Sequence, residues 1–256
     1  MGRCLINIAV DKIVALSGVI TLANINVRVV SYLTTEKPLT VIDRIQVDRN
    51  KKYGLPNTVH GVTSNTGKIG HWLRHYFIDP LFIYKANSLV VINRNYEATY
   101  TIQDLEPMTR LLRTYALQEY FVPLANLKSF AFEMLRIFKN YKVNVINISI
   151  RHALQDDPRL LLSWAPNSEV FAFVIYHSQL TTTGARTEVG EWTPELIDLA
   201  VTKNGGTYYL PYQLHATREQ IYKAYPRVNQ RLELKKHLDP ENIFRNMFWQ
   251  KYGKNR

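Results

Sequence analysis

The sequence predicts an α+β fold: a mixed or antiparallel sheet with helices on one face, followed by a helical C-terminal tail. Three observations carry it. Hydrophobic periods of two and of 3.6 alternate over residues 115–213, in the order strand, helix, strand, strand, helix, strand. The segment "VNVINISIRH" keeps Ile146, Ile148 and Ile150 on one face and Asn147, Ser149 and Arg151 on the other, which is the pattern of a half-buried strand. Residues 214–256 carry helix caps and helical spacing with no strand among them.

Taken in order, residues 13–35 alternate like strands, with β-branched residues dominating "GVITLANI" and "VRVVSYL". Residues 50–85, rich in Gly, Asn, His and aromatics, read as loop with one short helical piece at "KIGHWLRHYFI", and "NSLVVINRNYEATYTI" returns to strand. "YALQEYFVPL" is a strand ended by Pro123. "NLKSFAFEMLRIFKNYK" follows as a helix, with Leu127, Phe130, Met134, Phe138 and Tyr141 at helical spacing behind an Asn126 cap. "EVFAFVIYHSQ" is the next strand after "VNVINISIRH". "EWTPELIDLAVTKNGG" predicts a helix with Thr193 as N-cap, Pro194 at the first position and Gly205–Gly206 as the stop, before a last strand at "TYYLPYQ". In the tail, Thr217 and Gln220 form a capping-box pair, Pro226 interrupts, "VNQRLELKKHL" continues, and Asp239 with Pro240 opens one more capped turn. No sheet partner for this tail is visible in the sequence.

The chain has 256 residues, 46% hydrophobic and 21% charged, enough for one large or two small cores. A single cysteine, Cys4, excludes an internal disulfide and a cysteine-based zinc site, and suits a reducing, cytoplasmic setting. The apolar run "IVALSGVITLANINV" falls short of the roughly 20 residues that a membrane span needs, and no small-residue cleavage site follows it. The 32 Lys and Arg against 21 Asp and Glu leave a net charge of +11. These residues are scattered and lack a finger, homeodomain or RNP signature, so nucleic acid is not the expected partner; a solvated surface, an anionic ligand or a peripheral membrane contact accounts for the charge.

Two constellations could carry chemistry. The polar face of Asn147, Ser149 and Arg151 meets either water or a ligand, and a planar guanidinium is suited to anchoring oxygen-rich groups. Tyr208, Tyr209, Tyr212 and His215 crowd hydroxyls and an imidazole where a strand hands over to a helix, as aromatic packing or as groups that position a substrate hydroxyl. His71 and His75 have metal-ligand spacing but lack the Glu after the first His that a zincin needs, and no metal is expected. No P-loop, G-x-G-x-x-G or G-x-S-x-G occurs.

Together, "LQEYFVP", "NVINISIRHA" and "GGTYYLPYQLHATREQIYKAYPRVNQRLELKKHLDPENIFRNMFW" resemble, in order and spacing, the C-terminal half of FAD-dependent oxidases of the vanillyl alcohol oxidase superfamily. The nearest group resembles the sugar-lactone and alditol oxidases of the D-arabinono-1,4-lactone oxidase type, with decaprenylphosphoryl-ribose oxidase more distant. The resemblance runs from about Val27 to Tyr252 and is most specific at "YPR" followed by "LKKHLDP" and "FRN". It implies FAD as cofactor and oxidation of a hydroxyl carbon of a sugar, sugar lactone or polyol, with hydride transfer to the flavin.

Residue by residue, the resemblance places the family's Glu-x-Arg at Ser149 and Arg151, so the arginine is kept and the acid is not. The family's lysine near the flavin falls at Tyr212, with Tyr209 three before it as in the ribose oxidase; a substrate-contacting glutamine matches Gln118, and the alditol oxidases' threonine falls at Tyr176. The implied site is therefore Arg151, Tyr212 and Tyr209 for catalysis, Gln118, Ser149, Tyr176 and His215 for substrate, and Arg245 and Asn246 toward the cofactor. The implied organisation is a remnant of the end of a flavin-binding domain at 1–26, a substrate cap at 27–213, and a tail at 214–256 that packs on a flavin domain. The family's glycine-rich pyrophosphate loops have no counterpart here, which implies a truncated or split enzyme whose partner is a separately encoded FAD domain, or a non-catalytic cap fragment.

Overall fold

The computed structural model describes residues 3–7, 31–34, 36–40, 55–65, 67–78, 90–93, 110–157, 159–209 and 212–253. Two compact units emerge. The first holds Met1–Tyr115, Asn144–Ile148 and His177–Thr181; the second holds Ala116–Val143, Ser149–Tyr176 and Thr182–Arg256.

In the first unit, β1 (Arg3–Asn7) is the centre of an antiparallel sheet between β2 (Ser31–Thr34) and β3 (Val90–Asn93), with Leu5 opposite Leu33 on one side and Val91 on the other. The alternation expected over 13–35 and 88–102 is strand at 31–34 and 90–93; the rest lies outside the described residues. Residues 55–65 correct the expected loop, and residues 67–78 match the expected helical piece. They form α1 (Leu55–Asn65), α2 (Gly67–Leu73) and a wide final turn, Arg74–Ile78. Arg74 is buried and donates to the Ile146 carbonyl at 3.2 Å, a tertiary bond that no local propensity announces.

The four-stranded antiparallel sheet comprises β4 (Arg113–Pro123), β5 (Asn144–Ala153), β6 (Val170–Leu180) and the two-residue β7 (Thr207–Tyr208), ordered β5-β6-β4-β7. With helices α3 (Leu127–Asn140) and α4 (Thr183–Asp198) it gives the expected α+β class. One side of α3 buries Phe130, Met134 and Phe138; Phe130 meets Phe173 edge-on at 4.8 Å, and Phe138 meets Trp192 of α4 at 5.7 Å. Asn126 precedes α3 but does not cap it with its side chain, which donates to the Asn204 carbonyl at 3.0 Å instead.

Helix α4 begins eleven residues before the expected cap. Thr182 accepts from the Ala185 N–H there, while Thr193 and Pro194 lie inside the helix. Pro194 has no N–H to give the helix ladder, and Thr193 before it is buried with its hydroxyl accepting from Gln118. The stop is as expected, with Gly205 at φ +66° after the wide turn Leu199–Lys203.

The tail forms α5 (Arg218–Ala224), with both capping-box bonds of Thr217 and Gln220 present, and α6 (Val228–Leu238). It finds a partner in its own unit: Gln220 donates to Pro194 of α4, the Tyr225 hydroxyl donates to the Tyr208 carbonyl, and Tyr252 donates to Ala216. Asp239 caps a turn, accepting from the N–H groups of Ile243 and Phe244 at 2.8 and 3.0 Å while Lys235 pairs with it. Among the described residues no helix is long and apolar enough to cross a membrane.

Candidate functional site

Strand alternation decides which side chains can meet. On β4, Gln118, Tyr120 and Val122 are buried on the helix-facing side, so Glu119 between them must face the other way. Gln118 therefore does not line the same face as Glu119, contrary to the expectation that it contacts substrate. Its amide is used up in the core, donating to Thr193 Oγ1 at 2.9 Å and accepting from the Tyr120 hydroxyl at 2.7 Å.

Register then brings the tyrosines to Glu119. Thr207 and Tyr208 pair with Phe121 and Tyr120, and one step on the Tyr209 N–H donates to the Glu119 carbonyl at 2.8 Å. Tyr209 thus stands beside Glu119 as its cross-strand neighbour. Tyr212 meets Tyr209 edge-on, with ring centroids 4.9 Å apart. Tyr209 is 42% exposed and Tyr212 half-buried, so the pair forms an open aromatic surface.

From β5, Ile150 is buried toward the helices, which leaves Ser149 and Arg151 on the reverse face. The Arg151 guanidinium acts electrostatically on both Glu119 and Tyr212. Tyr176 of β6 has the parity of Ala172, which packs with Phe121 on this same side, and it is buried. The residues that the resemblance implies, Arg151, Ser149, Tyr176, Tyr209 and Tyr212, thus share one face of the sheet, and Glu119 joins them.

Burial raises the Glu119 carboxyl above its ordinary value, and the Arg151 charge offsets part of that rise. Burial also pushes the Tyr212 hydroxyl upward, helped by the Glu119 carboxylate and Tyr209 and opposed by Arg151. At neutral pH the face therefore presents a carboxylate readier than usual to take a proton and, at Tyr212, a phenol that holds its own. Glu119 was legible in principle. In "YALQEYFVP" it is the one acid, and period two separates it from its neighbour Gln118. Adjacent strand residues cannot both serve one face, and that rule picks Glu119 once Gln118 is seen to be core.

Two other expected positions are engaged elsewhere. His215 lies beside Gly190 of α4 and Gln213, whose Oε1 is 3.1 Å from the ring; burial first and Lys251 second keep its pKa below the ordinary value. Asn246 accepts from the Trp249 N–H at 2.8 Å and so caps the last turn, while Arg245 is exposed next to it. The glycine doublet does not form a cradle for a dinucleotide pyrophosphate: a Cβ on Gly206 would lie 2.1 Å from the Phe121 carbonyl oxygen, so this glycine lets two backbones approach each other. Among the described residues, no glycine-rich turn fits the pyrophosphate of FAD. No known protein-family model matches this chain, and no curated protein matches it either.

Proposed function

We propose that the second unit is the substrate-binding wall of an FAD-dependent oxidoreductase acting on a hydroxyl carbon of a sugar, sugar lactone or polyol, in the manner of the D-arabinono-1,4-lactone oxidases. The observation that carries the reading is the convergence of Arg151, Tyr209 and Tyr212 with the desolvated Glu119 on one open sheet face. Arg151 holds substrate oxygens through its planar fork. Tyr209 and Tyr212 offer ring faces to the C–H groups of a sugar and hydroxyls to its rim. Ser149 and Tyr176 complete the floor. A flavin, when bound, supplies the acceptor for the hydride. Its pyrophosphate is held by residues outside those described or by a separately encoded domain, for which the exposed tail, with Arg245, is the docking edge. A single cysteine suits a reducing cytoplasmic setting.

The second reading is a non-catalytic cap fragment, and the absence of a glycine-rich pyrophosphate cradle among the described residues favours it. One experiment separates the two. The purified chain is mixed with a separately expressed flavin domain of a sugar-lactone oxidase, and lactone or polyol is added without oxygen. The oxidoreductase reading expects bleaching of the oxidised flavin band with the wild-type chain and at least about 100-fold slower bleaching with Arg151→Ala, the scale of losing a charged transition-state contact. No bleaching with the wild-type chain, or equal rates for both, sinks it.

A further inference from the structure

The site strand carries Ser149 where an acid would stand, yet the face is not without one. Glu119 enters from β4, beside Tyr209, and its surroundings suit a ligand group better than a structural ion pair. Arg151 acts on it electrostatically, but the two form no ion pair within 4.0 Å and no hydrogen bond among the described residues. The side chains of Tyr209 and Tyr212 likewise make only their ring contact there. A half-buried carboxylate, a guanidinium and two phenols thus share one face without pairing with one another, and so offer a ligand both donors and acceptors. Burial that raises a carboxyl without an ion pair opposes folding, a cost that a binding residue carries for its ligand.

We propose that Glu119 is a specificity-determining residue of this face, its carboxylate accepting a hydrogen bond from one ligand hydroxyl while Arg151 donates to the neighbouring oxygen. The assignment rests on the reading of this face as a substrate wall. It restores on β4 the acid that β5 lacks, and it selects ligands that present a hydroxyl donor beside an oxygen acceptor. A carboxylate accepts such a bond only when ionised, so the grip weakens as Glu119 takes up its proton. The charged and titratable groups facing Glu119 are Arg151 from β5, Tyr209 and Tyr212 after β7, and Tyr225 from α5. Burial raises the Tyr212 and Tyr225 hydroxyls, so neither titrates in the acid range and the loss on acidification belongs to the carboxyl.

The test uses the 256-residue chain with sorbitol as probe and hexane-1,6-diol, which has no neighbouring hydroxyls, as comparator, measured by ligand-observed NMR and calorimetry at pH 8 and at pH 4. Glu119→Gln keeps the shape and removes the charge. Expected are sorbitol binding without hexanediol binding, a loss of about tenfold at pH 8 in Glu119→Gln, the scale of a hydrogen bond to a charged group, and a fall on acidification in the wild type that the variant lacks. Equal sorbitol affinity in the two proteins, equal binding of both probes, or no binding by a wild-type chain with native circular dichroism overturns the assignment. Selective, Glu119-dependent sorbitol binding without flavin bleaching sinks the oxidoreductase reading alone. Bleaching that ignores Glu119→Gln sinks this assignment alone.

Discussion

Residue 119 shows what a half-buried carboxylate on the sheet costs the fold. Its carboxyl is raised by burial, and Arg151 compensates only in part, so ionised Glu119 opposes folding. A carboxyl whose folded pKa lies above its unfolded value, ordinarily 4.5, contributes its stability below that value and loses it as pH rises through the folded one. Glu119→Gln has no such dependence. Thermal melts of the two proteins should therefore run together below the ordinary carboxyl range and separate above it, with the variant melting higher at pH 8. A wild type that melts higher than Glu119→Gln at pH 8 would show that Arg151 more than repays the burial, making the pair structural. Gln118, one residue away, shows the opposite use of a polar side chain. Its amide satisfies Thr193 and Tyr120 in the core, and it belongs to stability.

At the scale of elements, the long periodic segments were legible because periodicity reports burial directly: β4, α3, β5, β6 and the capping box of α5 all lie where the sequence puts them. What failed were starts and faces. Thr193-Pro194 has the form of a helix N-terminus, but Thr182 caps α4 a full three turns earlier, because Thr193 is wanted as a buried partner for Gln118. The last strand pairs with β4 only through Thr207 and Tyr208, with the Tyr209 N–H adding one bond to the Glu119 carbonyl. The site face was half legible for the same reason. Arg151 and the tyrosines could be named, while Glu119 is assigned only when register sets Tyr209 next to it. The tight passage into β7 makes a prediction of its own. A Cβ at Gly206 would meet the Phe121 carbonyl oxygen at 2.1 Å and the Ala200 carbonyl oxygen at 3.1 Å, and neither backbone can swing aside as a side-chain end could. Gly206→Ala should cost about 3 kcal/mol in chemical denaturation, the upper part of the overpacking range. Gly205→Ala, with open space around its Cβ but φ at +66°, should cost about 1 kcal/mol. Equal costs at the two positions would disprove the close approach.

For the molecule as a whole, charge and apolar exposure pull in opposite directions. Leu238, Ile243, Phe244 and Met247 are 66–78% exposed within ten residues of one another, and Leu238, Ile243 and Phe244 edge an open groove of about 730 Å³ with Leu232 and Trp249 on its walls. Such a patch favours association, whereas a net charge of +11 keeps copies apart. The balance moves with salt, because the screening length shrinks from about 10 Å at 0.1 M to about 3 Å at 1 M. The chain should therefore run as a monomer at low ionic strength and associate reversibly as salt rises, read by light scattering coupled to gel filtration. Phe244→Asp should suppress that association. Its side chain is 78% exposed and only its backbone N–H is used, by Asp239, so the melting temperature should stay within the shift of about 0.5 kcal/mol typical of surface changes. A wild-type chain that stays monomeric in 1 M salt, or a Phe244→Asp chain that associates as readily as wild type, would mean that this edge is not what draws copies together.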